Sequence, residues 1–485
     1  MSESRPVAVI VLAAGEGKRM KSQLPKVLHT LCGRSMLGHA LAAARDLRPE
    51  RLVVVAGHGR EQVSAEVSRL APDATVVVQE RLGGTGHAVR MVTEALGALR
   101  GTVVVTYGDM PLLRASTLDA LVREHGASSN AVTVLTAVVG DPAGYGRIVR
   151  DDAGALAEIV EDADASPSQR LIAEINSGCY AFDGALLSDA IKRVATGNAQ
   201  GQEYLTDVVA ILRGDGYPVG AVVAADAAEI QGVNDRVQLA QVRRALNDRL
   251  LEDWMRSGVT IVDPATTWVD VEVALAQDAM ILPGTQLEGR TVVGARARIG
   301  PACVLTDTVV GDDAMITFAV CRSAEIGPGV SAGPYVYLRP GTQVEGGAHI
   351  GTYVELKNAH VGEQTKVPHL SYVGDADIGA HSNIGAATVF VNYDGVAKHH
   401  STVGDHVRIG ADTMLVAPVR IGDGAYTAAG SVIDTDVPPG ALGIARGKQH
   451  NSAGWVQRRR PGTPAAEAAA RARCAEDDKD YEGDA

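Results

Sequence analysis

A short aliphatic run, Val7 to Leu12, passes straight into LAAGEGKRM (Leu12 to Met20), and PKVLH (Pro25 to His29) follows closely. Glycines after a strand let backbone N–H groups approach phosphate oxygens, while Arg19 and Lys26 bring mobile positive charge to the same edge. An isolated G-x-G is more often a structural turn. R-M and P-K at this spacing favour a phosphate-bearing substrate. No G-K-[ST] follows, so this is not a Walker loop. Farther on, Gln79 and Gly84-Thr85 lie within QERLGGTGHA, and Tyr107-Gly108-Asp109 closes the run VVVTYGD. An acidic group at the carboxyl end of a parallel strand is where such sheets hold ligands, and Asp109 can ligate Mg²⁺, which prefers oxygen donors and bridges substrate phosphates. A helix N-cap or turn is the bland alternative for such an Asp. The second half offers His349, His360, His369, His381, His399, His400 and His406 as possible proton acceptors. An exposed turn histidine is the ordinary reading of any one of them.

These residues need two different scaffolds. From Val7 to about Asn234, short Val/Ile/Ala runs alternate with longer amphipathic segments, which predicts an α/β Rossmann-like domain with a mixed, mainly parallel sheet. Asn234 to Ser257, with Val237, Leu239, Leu246 and Leu250 among charges, predicts a helical arm. Beyond Val262 blocks of six begin, among them IGPGVS from Ile326, IGTYVE from Ile350, IGAATV from Ile384 and IGADTM from Ile409. Each block starts with an aliphatic residue followed by a small one, so three blocks make one triangular coil, with aliphatics inward and glycines at corners. Two stretches, Thr317 to Ala324 and Phe390 to Thr402, break the six-residue register, and loops are expected to leave the coil there. The expected domains are residues 1–234, a linker 235–257, a β-helix 258–460 and a disordered acidic tail 461–485.

Composition agrees with this division. A 485-residue chain exceeds what one core usually organises. Hydrophobic residues make up 46% but aromatics only 4%, with 54 glycines, which suits a narrow interior filled by small aliphatics. A net charge of -13 repels nucleic acid and anionic membrane, so neither is an expected partner. Five scattered cysteines without C-x-x-C spacing fit a reducing compartment, and no leader or spanning segment is apparent, so a cytoplasmic location is expected.

The repeats resemble the hexapeptide-repeat transferases, and that resemblance implies a left-handed β-helix. The first-half signature resembles nucleotide-sugar pyrophosphorylases. GYGRIV with Gly146, EIVE with Glu161, EINSG with Asn176 and QGVND with Asn234 then match in order. Together they make the chain similar to the bifunctional N-acetylglucosamine-1-phosphate uridyltransferase and glucosamine-1-phosphate acetyltransferase family over roughly residues 7 to 460. The resemblance implies that Leu12, Ala13, Gly15, Lys26, Gln79, Gly84 and Thr85 hold UTP, beside Tyr107 and Gly108. Gly146, Glu161 and Asn176 would hold the sugar, and Asp109 with Asn234 the Mg²⁺. Lys26 and Arg19 would supply catalytic positive charge.

For the second half, KVPHLSYVGDADIG matches the family's base motif and singles out His369 as general base. Arg339, Lys357, Tyr372 and Asn383 would hold the acetyl acceptor. Ala386, Asn392, Tyr393, Ala411, Ala429 and Arg446 would hold acetyl-CoA. Ala411 departs from the family's usual serine, a loss of about 0.5–1.5 kcal/mol if a neutral hydrogen bond is missing. A homotrimer is likewise implied. A monofunctional pyrophosphorylase with a regulatory β-helix, or a non-catalytic scaffold, are the competing readings.

Overall fold

The computed structural model describes residues 5–97, 99–196 and 201–481; the last four positions of the acidic tail lie outside them. Strand Ala8–Ala13 is wholly buried and pairs in parallel with Arg51–Ala56 on one side and Thr102–Tyr107 on the other. Its alternate residues serve two cores: Val9, Val11 and Ala13 face one, Ala8, Ile10 and Leu12 the other. This is what a near-continuous aliphatic run predicts for a sheet covered on both faces. Thr75–Val78 extends the sheet in parallel beyond Arg51–Ala56. On the other side Glu174–Asp183 enters antiparallel between Thr102–Tyr107 and Val132–Val138, and Val219–Val223 closes that edge. The sheet is therefore mixed.

One helix joins the halves and is shared by both. Arg236–Arg256 is capped by Asp235, whose side chain accepts from the Gln238 backbone N–H. Leu239, Val242 and Leu246 pack with Met20, Leu31 and Met36 of the first half. Leu251, farther along, belongs to the β-helix core. Between them Asn247, fully buried, donates to the Thr267 carbonyl at 2.9 Å and accepts from the Val269 N–H at 3.0 Å, so its amide caps the backbone of the first coil. Val237, expected among the apolar positions, is exposed instead. The hairpin at residues 30–35 makes a second tie: the Cys32 carbonyl accepts from Val271 N–H at 3.1 Å, and Arg34 pairs with Glu272 at 3.3 Å.

The second half is a stack of parallel coils around one continuous aliphatic core running from Val259 to Val437. Each inward Val, Leu or Ile contributes about 1.5–3 kcal/mol by leaving water. Most glycines that follow the inward aliphatics are not there for a left-handed backbone; Gly300 and Gly333, with φ of 108° and 116°, are exceptions. A Cβ on Gly385 would stand 2.6 Å from the Ala411 nitrogen, and one on Gly410 would stand 2.5 Å from the Ala429 nitrogen, so coil stacking excludes it. The left-handed corners are instead taken mainly by other residues, such as Tyr335, Tyr353 and Leu370 with φ of 59°, 59° and 50°.

The expected loop at Thr317–Ala324 is absent. The chain stays in the stack, and Thr306 pairs with Arg322, a coil of 16 residues in place of the 18 that separate Gln286 from Val304. The corners absorb the deletion. The second interruption does leave the stack: Ala376 pairs with Ser401, a coil of 25 residues. The tail also differs from expectation, since Pro464–Tyr481 is helical; its Ala-rich start has high helix propensity, which the reading of that segment by its lack of apolar residues overlooked. No helix among the described residues is long and apolar enough to cross a membrane.

Candidate active sites

Because Ala8–Ala13 and Thr102–Tyr107 are adjacent and parallel, both carboxyl ends open at one edge, where the Gly108 N–H donates to the Leu12 carbonyl at 2.9 Å. Gly108 fits closely there: a Cβ would meet Ala13 and Leu37 at 3.3 and 3.1 Å. A cavity of about 310 Å³ opens at this edge, lined by Leu12, Ala13, Gly15 and Lys26 of the loop, Gln79, Gly84 and Thr85 of the next element, and Tyr107 and Asp109. Gly84 has φ 105°, and a Cβ would lie 2.5 Å from the Glu203 carbonyl, so only glycine lets residues 203–205 pack here. Gln79, almost fully buried, donates to the Gly84 carbonyl at 3.1 Å.

Lys26 crosses this cavity. Its stem passes Gly17, where a Cβ would come within 2.6 Å of Lys26 Cβ. Its ammonium pairs with Asp109 and also donates to Asn234 Oδ1 at 3.2 Å. Asn234 is held by its backbone N–H, which donates to Gln238 at 2.7 Å on the linker helix, and the neighbouring Val233 N–H donates to the Asp109 carbonyl at 3.0 Å. Two oxygen donors from sequence positions far apart thus converge on one cation. That is the donor set Mg²⁺ takes when substrate phosphates and water complete its shell.

A second group adjoins the first. The Asn176 N–H donates to the Gly146 carbonyl at 2.8 Å, and Glu161 Oε2 lies 3.5 Å from where a Gly146 Cβ would be. Burial pushes the Glu161 carboxyl up from its ordinary value; the Thr206 hydroxyl at 3.3 Å opposes this, while Asp164, Asp207 and Asp162 add to it. Tyr107, partly buried at the cavity edge, has its phenol raised chiefly by desolvation, with the charges of Cys179, Asp109 and Glu161 adding to it. Tyr204 escaped the sequence reading. Its hydroxyl is buried without a hydrogen-bond partner among the described residues and senses Glu161, Asp164 and Asp207. No motif marks it, because its place depends on the packing of residues 203–205 against Gly84. Arg19 is exposed, has no ion pair among the described residues and does not line the cavity.

On the β-helix, Arg339 and Lys357 follow the paired inward residues Leu338 and Leu356 of successive coils, so they emerge on one outer face. Arg339 donates to Glu355 at 2.8 Å, and Lys357 donates to both oxygens of Asp375 at 2.9 and 3.0 Å. Asn392, at the root of the 25-residue coil, also reaches Asp375 and lies 3.4 Å from the Tyr372 hydroxyl. Lys398, missed in the sequence, comes back from the same insertion: contact with Lys357 and that group's charge lower its pKa, and Arg339 adds to the effect. Three cations, Arg339, Lys357 and Lys398, therefore gather on this face. Only the insertion's fold, which the six-residue repeat does not specify, brings Lys398 there.

His369 ends the strand Lys366–His369 with its side chain exposed, and its carbonyl accepts from the Ala387 N–H at 3.2 Å, next to Ala386. Ala386, Ala411 and Ala429 stack on consecutive coils, as the Asp412 N–H to Ala386 carbonyl bond of 2.7 Å and the Gly430 N–H to Ala411 carbonyl bond of 2.8 Å show. Asn383 is half-buried in the bridge between Lys366 and Arg408. Tyr393 is exposed, its hydroxyl donating to Gly395 at 2.7 Å. Arg446 is exposed in the segment after the last strands, and no contact among the described residues draws it to this group.

The architecture is that of a sugar-nucleotide type nucleotidyltransferase joined to a hexapeptide-repeat transferase. Residues 9–177 match the MobA-like NTP transferase domain, and residues 400–435 match the bacterial transferase hexapeptide (six repeats). Over 477 residues the chain is 62% identical to the bifunctional protein GlmU of Thermobifida fusca, covering 98% of this chain and 99% of the relative. It is 62% identical to that of Streptomyces avermitilis, covering 97% and 98%, and 55% identical to that of Nocardia farcinica, covering 97% and 96%. The chain belongs to the GlmU family of bifunctional proteins. It is an enzyme with two activities, a nucleotidyltransferase in its first half and an acetyltransferase on its left-handed β-helix.

Proposed function

We propose that the β-helix transfers acetyl from acetyl-CoA to glucosamine-1-phosphate, and that the first half then joins N-acetylglucosamine-1-phosphate to UTP, releasing pyrophosphate. The observation that carries the first-half reading is the convergence of Asp109 and Asn234 on one cation at the mouth of a glycine-lined cavity. Backbone N–H groups of residues 12–15 cradle the triphosphate, and Gln79 reads the uracil. Gly146, Glu161 and Asn176 orient the sugar so that its phosphate oxygen lies in line with the α-phosphorus. Asp109 and Asn234 would hold Mg²⁺, which when bound would neutralise charge at the phosphates. Lys26, released from that pair, turns its ammonium to the same oxygens, with Arg19 moving in from the surface.

In the second half an ammonium group has no lone pair, so the acceptor amine must lose a proton before it attacks the thioester. His369 takes that proton. Arg339 and Lys357 hold the sugar phosphate, Tyr372 and Asn383 the sugar, and Asn392, Tyr393, Ala386, Ala411, Ala429 and Arg446 the acetyl donor. The outer-face position of the cluster, with the exposed Arg446 making no contact with it among the described residues, favours a homotrimer in which a neighbour completes each site. The location is cytoplasmic. Two assays on the purified protein test the reading: pyrophosphate release from UTP with N-acetylglucosamine-1-phosphate, and thiol release from acetyl-CoA with glucosamine-1-phosphate. Absence of thiol release from an active uridyltransferase would leave the β-helix as a structural appendage.

A further inference from the structure

We propose that Asp375 is a positioning residue whose single carboxylate holds the acceptor cation Lys357 and the donor-loop residue Asn392 in fixed relation, so that binding of the two acetyl-transfer substrates depends on one group. This rests on the reading above, in which Lys357 meets the sugar phosphate and Asn392 the acetyl donor.

Asp375 lies within the strand Tyr372–Ile378, nearly buried, with φ 50°. One oxygen accepts from Lys357 at 2.9 Å and Asn358 at 2.8 Å; the other accepts from Lys357 at 3.0 Å and Asn392 at 2.5 Å. Lys357 belongs to the preceding coil and Asn392 to the root of the insertion, so the carboxylate ties three successive turns of chain. The neighbouring Gly374 leaves room for the crossing, since a Cβ there would come within 2.7 Å of Asn392 Nδ2.

Charge gives the reason for a role beyond packing. A carboxylate beside a phosphate-binding lysine weakens that lysine's pull on an anion, so the arrangement is costly for phosphate affinity unless it supplies orientation. An ammonium has three donors. Two are taken by the Asp375 oxygens, which fixes the direction of the third. Burial acts to raise the Asp375 carboxyl, but hydrogen bonds from Lys357, Asn358 and Asn392 outweigh it and hold the group ionised.

The test is steady-state kinetics of acetyl transfer by the full-length chain, with each substrate varied in turn. Asp375→Asn keeps the shape and tolerates the left-handed backbone but removes the charge. The expected result is a rise of about 3–10-fold in KM for both glucosamine-1-phosphate and acetyl-CoA, with kcat little changed. Movement of one KM only, of neither, or of kcat alone overturns the proposal. Lys357→Met and Asn392→Leu check the underlying site: each must raise KM for its own substrate, and if neither does, the site reading falls and the proposal with it. Should Asp375→Asn fail to fold, Asn392→Leu carries the linkage test. Acceptor KM then rises about 2–3-fold although Asn392 does not meet the acceptor, and an unmoved acceptor KM overturns the linkage.

Discussion

Lys26 and Asp109 form an ion pair in which the lysine ammonium also reaches Asn234, so the lysine occupies the meeting point of two oxygen donors that a divalent cation would share. Cation and ammonium must then exclude one another. Lys26→Met is expected to bind Mn²⁺ more tightly than the parent in the absence of nucleotide, read from the paramagnetic resonance of free Mn²⁺. Equal or weaker binding would remove the shared position. The same variant is expected to lose uridylyl transfer by about 100-fold or more, because the charge proposed to meet the phosphates is gone.

The two sites are built on separate hydrophobic cores, which predicts independence. Asp109→Ala should abolish pyrophosphate release and leave thiol release intact, while His369→Ala should lower thiol release by about 10²–10⁴-fold and leave pyrophosphate release intact. Parallel assays on each folded variant decide it. Joint loss in either would mean that the sites are coupled.

Burial of Glu161 predicts a pH signature. Its carboxyl is raised first by desolvation, so the folded chain holds that proton to higher pH than the unfolded chain does. The sign follows: Glu161 adds nothing unfavourable below the unfolded value of about 4.3, and stability is lost as pH rises through the higher folded value. Glu161→Gln should therefore unfold at a higher temperature than the parent at pH 7, with the difference vanishing near pH 4, and should bind the sugar phosphate less well. Thermal melts across that range would expose a difference that stays constant, which burial does not allow.

Ala411 stands exposed in the alanine stack, where a hydroxyl has room. Ala411→Ser is expected to lower KM for acetyl-CoA by about 2–10-fold while leaving the acceptor KM alone. No change would place the donor away from this coil.

Asn247 predicts a shared stability. Replacing it with Ala strands a buried carbonyl and a buried N–H at Thr267 and Val269, a cost of about 1–3 kcal/mol each. Heating should then inactivate both reactions at a lower temperature. Loss of acetyl transfer alone would show that the first half stands without the coil.

Much of this was legible in residue order. The aliphatic run before Leu12 and the six-residue period from Val293 onward each encode their own element, because local spacing decides which face is buried. Registers were less legible: the 16-residue coil at Thr306–Arg322 looks like an interruption in sequence, yet corner residues absorb it without breaking the stack. The glycine period was visible but its cause was not, since the clash at Gly410 lies with a chain segment one coil away. Tyr204, Asp375 and Lys398 were missed for the same reason. Each acquires its place through a partner distant in sequence, and nothing in its immediate neighbours records that meeting.

The long coil between Ala376 and Ser401 departs from the prism and rejoins it with the pairing above and below undisturbed. Its excursion is tied to the column near its two ends, where Asn392 meets Asp375 and His400 lies 2.9 Å from Asp377. Residues can be added to or trimmed from the tip of that excursion, between those anchors, without shifting any later rung, which leaves the tip free to diversify while the scaffold beneath stays constant.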